Sequence, residues 1–191
     1  MKANLVITGG EYRSRRLYAP EGRDTRPTRA MVREALFNML QGASGNAGVL
    51  DLFAGSGALG FEALSRGAAA VTFCDTAPGA MAVVRRNAAL LSAQDRCTFL
   101  QLDWCQALHK LGGQGERFDL IFLDPPYGMD LAPVLLEILA QGTLNPGGQA
   151  VVEHGSREEI SLPAGFDTLR SRRYGESAIT LITLTMEEDR A

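Results

Sequence analysis

From Gly48 onward, apolar runs of four to six residues alternate with longer stretches whose apolar residues recur at helical spacing. Runs at 49–52, 70–74, 97–100, 118–123 and 149–153 predict strands. Stretches at 58–66, 80–91, 104–111 and 131–141 predict helices between them, the first stopped by Gly67. Strands alternating with helices imply a parallel sheet covered on both faces. The pattern then changes: 166–174 and 177–185 read as strands joined at Gly175-Glu176 with no helix between them. A parallel sheet ending in a hairpin is mixed, with one antiparallel strand. Ahead of this body, 4–8 and 11–18 predict a hairpin across Gly9-Gly10. A loop with Pro20, Gly22 and Pro27 follows, and then a helix capped by Thr28 and running to about Leu40. Glycines from Gly42 to Gly48 punctuate the chain. The expected division is therefore an N-terminal extension, 1–42, and a main α/β domain, 43–191.

The length, 191 residues, suits one domain with a small extension. A hydrophobic fraction of 46% and a charged fraction of 21% exclude global disorder. No apolar run reaches the ~18 residues of a membrane span. The apolar part of the first ten residues is too short for a signal peptide. Cys74, Cys97 and Cys105 are odd in number and lack metal-ligand spacing, so they read as reduced thiols of a cytoplasmic protein, with no metal site expected. No long apolar surface stripe suggests an obligate dimer, so a monomer is expected. The net charge of −3 hides an asymmetry. Residues 1–40 carry eight basic and four acidic side chains, whereas the rest carries 11 basic and 18 acidic. A basic arm on an acidic body is a candidate contact surface for nucleic-acid phosphates, the alternative being a solvated face.

Three motifs carry candidate chemistry. Asp51-Leu52-Phe53-Ala54-Gly55-Ser56-Gly57-Ala58-Leu59-Gly60 lies at a strand-to-helix turn. Its glycines allow a sharp turn and close approach of a ligand, and Gly55 to Gly60 matches G-x-G-x-x-G. Ligands of open parallel sheets bind beyond the carboxyl ends of the strands. Asp75 ends the next strand, where an acid can accept from both hydroxyls of a ribose. Asp103 follows the third strand and can accept from an adenine amino group or cap the next helix. Neither acid separates NAD from S-adenosylmethionine, since both carry adenosine. Asp124-Pro125-Pro126-Tyr127 follows the fourth strand. Its prolines fix the backbone and remove two donors, leaving the Asp124 carboxylate and the Pro125 carbonyl as acceptors beside the flat face of Tyr127. That edge suits a planar ring bearing an exocyclic NH₂.

On these residues the chain resembles the class I S-adenosylmethionine-dependent methyltransferases that act on exocyclic amines. Their seventh strand is antiparallel, matching the terminal hairpin. The resemblance implies a Rossmann-like class I fold with a seven-stranded mixed sheet. More narrowly, the chain is similar to the bacterial 16S ribosomal RNA guanine-N2 methyltransferases that modify guanine 966. The likeness spans nearly the whole length. It includes Ile7-Thr8-Gly9-Gly10, Arg13-Ser14-Arg15, Arg26-Pro27-Thr28, Val32 to Asn38, and Phe53 to Gly60 with Glu62-Ala63-Leu64-Ser65-Arg66. The family often has an acid where Ala30 stands, Glu where Asp75 stands and Phe where Tyr127 stands; the last two changes keep the chemistry.

The resemblance implies S-adenosylmethionine held by Asp51, Phe53, Gly55, Gly57, Asp75 and Asp103. It implies catalysis by Asp124, Pro125 and Tyr127. Arg13, Arg15, Arg16, Arg26, Arg29 and Arg33 are expected to contact the substrate, small-subunit ribosomal RNA or the assembling small subunit. Arg26, Arg29 and Arg33 could instead serve the active site. Glu153 and His154 are expected at its border, His154 more simply as a strand-end surface residue. Three other readings remain open at this point: an NAD-dependent oxidoreductase, a methyltransferase acting on adenine N6, and an RNA-binding module without catalysis.

Overall fold

The structure is a computed structural model and describes residues 3–19, 27–40, 42–126, 128–158 and 160–185. Nine strands and five α-helices lie among them. The extension contributes β1 (Ala3–Val6), β2 (Arg16–Tyr18) and α1 (Pro27–Met39). The body runs β3 (Gly48–Asp51), α2 (Ala58–Ser65), β4 (Ala70–Cys74), α3 (Pro78–Leu91), β5 (Cys97–Leu100), α4 (Trp104–Gly113), β6 (Phe118–Leu123) and α5 (Ala132–Gln141). It ends with β7 (Leu144–Gly155), β8 (Phe166–Tyr174) and β9 (Ser177–Leu184).

The seven body strands form one sheet in the order β5-β4-β3-β6-β7-β9-β8. Strand β9 is antiparallel to both its neighbours, and the other pairings are parallel, as the terminal hairpin implies. The chain winds outward from β3 to β5, then returns to lay β6 beside β3. That reversal opens a crevice at the carboxyl ends of β3 and β6.

Strand residues alternate between two apolar layers. Val49, Leu120 and Phe122 face α1, α2 and α3 through Phe37, Phe61, Leu64 and Val84. Leu50, Ile121 and Leu123 face α4 and α5 through Leu108, Leu111, Val134 and Ile138. Burial on both faces explains why these strands read as unbroken apolar runs. The extension is not a separate core: Ile7, Leu17, Val32 and Leu36 belong to the first layer.

Three boundaries differ from expectation. The second hairpin strand begins at Arg16, not at residue 11, because a turn occupies the intervening residues. Gly10 and Ser14 have φ of 78° and 67°, which no extended strand accommodates. The Glu11 and Tyr12 N–H groups are drawn instead to Ser65, to its carbonyl at 2.7 Å and its hydroxyl at 2.8 Å. Helices α1 and α3 begin at Pro27 and Pro78, ahead of the expected starts, since proline suits a first turn whose N–H has no helical partner. Strand β7 begins at Leu144 because a bulge absorbs Asn145 to Gly148, and it extends to Gly155 through its ladder with β9.

Candidate active site

The site is built at the carboxyl ends of β3, β4 and β6. Asp51 ends β3 and is buried, and its Oδ2 accepts the Gly60 N–H at 3.1 Å. It thus props the glycine turn from beneath. Within that turn Gly55 and Gly57 have φ of 56° and 75°. A Cβ on Gly57 would also lie 2.6 Å from the Phe61 ring. Asp75 follows β4, with Oδ2 accepting the Gly55 N–H at 2.8 Å and Oδ1 the Ala77 N–H at 2.9 Å. Phe53 is half-buried against the α4–α5 layer beside Leu102 and Trp104. Asp124 follows β6 and is exposed, and Pro125 is half-buried. The Pro126 carbonyl accepts the Met129 N–H at 3.2 Å, closing a turn. Tyr127 lies outside the described residues.

Burial pushes the Asp51 carboxyl up to about 7. The Gly60 N–H opposes this, while the negative charges of Asp124 and Asp75 add to it. Asp51, Asp75 and Asp124 therefore feel one another's charge, and the crevice favours a ligand that brings positive charge. The same arrangement opposes a pyrophosphate. In a dinucleotide site, turn N–H groups point at phosphate. Here the Gly55 and Gly60 N–H groups are already held by carboxylates.

Asp103 stands after β5 and is the N-cap of α4, its Oδ1 accepting the Gln106 N–H at 2.9 Å. This capping role accounts for the residue without a ligand. The half-buried His154 places Nε2 3.0 Å from the Thr180 hydroxyl, which lies 3.0 Å from that of Ser171. It belongs to the β7–β9–β8 ladder, not to an open surface.

The arm arginines separate into distinct roles. Arg13 and Arg16 are exposed. Arg15 donates to the Leu90 carbonyl at 2.8 Å. Arg33, expected to contact substrate, is buried; its Nε donates to Glu62 Oε2 at 3.2 Å and its Nη2 to the Val6 carbonyl. Its charge is committed to Glu62, so it ties the arm to the body. Arg26 and the Arg29 side chain lie outside the described residues.

Two residues that sequence reasoning did not single out organise the site's support. Glu62, fully buried on α2, accepts from the Thr8 N–H and hydroxyl, the Gly9 N–H, Arg33 and Arg66. Asn87, fully buried on α3, accepts the Tyr18 N–H at 2.8 Å and donates to the Tyr18 and Ser56 carbonyls, each at 3.0 Å. It joins the arm strand to the glycine turn. The signal available for both was a polar residue within an apolar helical stretch.

Cys105, His109 and Glu137 place their ligand atoms within 4.8 Å of one another. Hydrogen bonds already account for His109 and Glu137. Gln141 Nε2 lies 3.2 Å from His109 Nδ1 and 2.9 Å from Glu137 Oε1, and His109 Nε2 lies 3.0 Å from the same oxygen. Burial raises the Cys74 and Cys97 thiols to about 12 and about 11, so both are unreactive.

The sheet order, its single antiparallel strand and the small antiparallel N-terminal hairpin define the Rossmann-like methyltransferase fold. The chain belongs to the family described as Conserved hypothetical protein 95, whose model matches residues 5–183. It is 33% identical over 179 residues to Ribosomal RNA small subunit methyltransferase D of Escherichia coli strain K12, covering 93% of this chain and 88% of that one. It is 31% identical over 176 residues to the protein of the same name from Haemophilus influenzae, covering 91% of each. The solved structure of the E. coli protein yhhF superposes with a TM-score of 0.83 at 32% identity, covering 94% of this chain and 97% of that one.

Proposed function

We propose that this protein transfers a methyl group from S-adenosylmethionine to the exocyclic N2 of a guanine in small-subunit ribosomal RNA, guanine 966 being the expected position. The observation that carries the reading is the crevice of Asp51, Asp75 and Asp124 around a glycine turn whose N–H groups the carboxylates already hold. The residues fit the cofactor. Its sulfonium and amino group are cationic, matching the carboxylates, and its adenosine can lie against half-buried Phe53 with a ribose at Asp75. The relatives named as small-subunit ribosomal RNA methyltransferases support the substrate class.

When bound, the cofactor supplies a methyl group already activated on sulfur. The protein's task is the nucleophile, whose lone pair is delocalised into the guanine ring. Asp124 and the Pro125 carbonyl accept the two N2 protons, drawing the nitrogen toward a tetrahedral shape and localising the lone pair. Positioning then favours in-line displacement. The N–C bond forms as the S–C bond breaks, sulfur keeps the electron pair, and the surplus proton passes to Asp124. Guanine also presents N1–H beside N2, which the carboxylate can bridge, whereas adenine presents an acceptor there. The base must leave its stack to arrive, and exposed Arg13 and Arg16 suit the flanking phosphates.

The test is methyl transfer from labelled cofactor to unmodified small-subunit RNA, bare and as assembled particles, followed by digestion to nucleosides. N2-methylguanosine is expected, with loss of roughly 10²–10⁴-fold in Asp124→Ala while cofactor binding persists. N6-methyladenosine instead would transfer the reading to the adenine enzymes. No transfer to either substrate, with cofactor bound, would overturn the ribosomal reading.

A further inference from the structure

We infer that the outer end of edge strand β8, carrying Arg170, Arg172 and Arg173, is a second RNA-docking surface that grips phosphates flanking the target base. The inference rests on the reading that the substrate is RNA.

Strand β8 is the last strand of the sheet, so one of its edges has no neighbouring strand. It runs antiparallel to β9, which runs antiparallel to β7. Its carboxyl end therefore points the same way as that of β6, where Asp124 stands. The register fixes the height. Leu123, the last residue of β6, lies level with Val152, which pairs with Thr180, which pairs with Ser171. Arg172, Arg173 and Tyr174 thus stand beyond the end of β6, at the level of the Asp124 loop. Three strand spacings separate β6 from β8, about 14 Å laterally. A few nucleotides of backbone leading away from a base at Asp124 would cover that span.

The charges are available. Arg170, Arg172 and Arg173 are exposed, and no ion pair among the described residues engages them. Several other body arginines are committed: Arg66 to Glu62, Arg96 to Glu11, Arg85 over the Phe99 ring and Arg86 over the Tyr18 ring. Exposed Arg157 adjoins the same end, where the Ser156 N–H donates to the Glu176 carbonyl. Position within the ladder sets the faces. Arg170 and Arg172 pair with Leu181 and Ile179, which belong to the layer under α1. The Tyr174 hydroxyl donates to Met39 Sδ at 3.4 Å, so the end of β8 abuts the helix that leads from the basic arm. The arm and β8 meet through α1 on one face, and RNA seated there would run from one to the other. Positive charge on an outermost strand is also a known guard against edge-to-edge association, so the experiment must separate the two roles.

It uses the full chain with Arg170, Arg172 and Arg173 all replaced by Gln, and Lys110→Gln/Arg117→Gln as a control. Lys110 and Arg117 are exposed in the last turn of α4 and just before β6, away from the strands' carboxyl ends. Methylation of small-subunit RNA is followed against RNA and salt concentration. The triple variant should raise KM for RNA roughly tenfold and make the log–log salt dependence shallower by about 2, as three lost phosphate contacts imply. Its kcat at saturating RNA and its cofactor affinity should match the wild type, and the control should change nothing. A triple variant with wild-type KM and salt slope overturns the docking surface, and self-association with unchanged KM would assign the arginines to edge protection. Failure of the wild type itself to act on any RNA would overturn the substrate reading, and this surface with it.

Discussion

Arg33 of α1 and Glu62 of α2 form a buried ion pair, Nε to Oε2 at 3.2 Å, with relative exposures of 7% and 0%. The same carboxylate holds Thr8, Gly9 and Arg66. One side chain of the Rossmann body thus gathers the hairpin and the helix of the extension. Removing one partner of a buried pair leaves the other charge unsatisfied, at about 3–5 kcal/mol. Glu62→Ala should lower the unfolding free energy by about that amount in urea titrations. Glu62→Gln, which keeps an acceptor for the Thr8 and Gly9 donors, should lose less.

The pH dependence of this joint has a definite sign. Burial alone would raise the Glu62 carboxyl, but the Thr8 hydrogen bonds and the Arg66 and Arg33 guanidiniums outweigh it and hold the group below its ordinary 4.5. A depressed carboxyl contributes stability above its unfolded value and loses it as pH falls through the folded one. Wild-type stability should therefore drop below about pH 4.5 by a component that Glu62→Gln lacks. Equal acid sensitivity of the two proteins would refute the assignment.

Asp51 behaves in the opposite sense. Its carboxyl is raised from 3.8 to about 7, so the folded protein retains a proton that the unfolded chain releases. Folding stability should fall as pH rises between those values. Asp51→Asn keeps an oxygen for the Gly60 N–H and removes the charge. Its melting temperature at pH 8 should exceed the wild type's by about 3 °C or more. Cofactor affinity should fall at the same pH, because the variant gives up charge that favours a cationic ligand. Calorimetry and cofactor titration check both halves.

The contrast between Glu62 and Asp51 indicates what the sequence could and could not convey. The order of strands and helices was legible because Val49 to Leu52 and Phe118 to Leu123 are buried on both faces, leaving unbroken apolar runs. Asp51, Asp75 and Asp124 were legible because each follows a strand end, where the topology of such sheets places ligands. The fate of Arg33 was not, since its partner lies 29 residues away on another helix. Spacing identifies a basic stretch but not which cations are already paired. The turn at residues 9–14 escaped for a similar reason, because the groups that hold Glu11 and Tyr12 belong to Ser65. The arginines of β8 read only as strand residues until the sheet order placed them at an edge.

Gly60 makes a separate prediction about packing. A Cβ at this position would collide with the Phe73 ring and lie 2.9 Å from Val71 Cγ1. Both belong to β4, buried beneath α2, and Phe73 is already packed against the Phe61 ring at 4.7 Å. Gly60→Ala must displace α2 from the sheet, and overpacking of this kind typically costs about 1–3 kcal/mol. Because α2 carries the Gly60 N–H that meets Asp51, cofactor affinity should fall together with stability. A variant with wild-type stability would show that Phe73 can yield.

Asn87 joins the extension to the glycine turn without any charge. Its amide accepts the Tyr18 N–H and donates to the Tyr18 and Ser56 carbonyls, all from a position with no solvent exposure. Asn87→Leu would leave three polar backbone groups without this partner, and an unsatisfied buried group costs about 1–3 kcal/mol. Asn87→Asp keeps the acceptor and loses the donor, placing a carboxylate against two carbonyls, so it should be at least as damaging. If the joint serves the site as well as the fold, KM for the cofactor should rise in both variants below their melting temperatures. Arg86, whose guanidinium lies 3.6 Å over the Tyr18 ring, provides the internal comparison. Arg86→Gln loosens the same strand without touching Ser56, so it should reduce stability but leave cofactor KM near the wild-type value. Equal cofactor KM in Asn87→Leu and Arg86→Gln would mean that the link to Ser56 does not transmit to the turn.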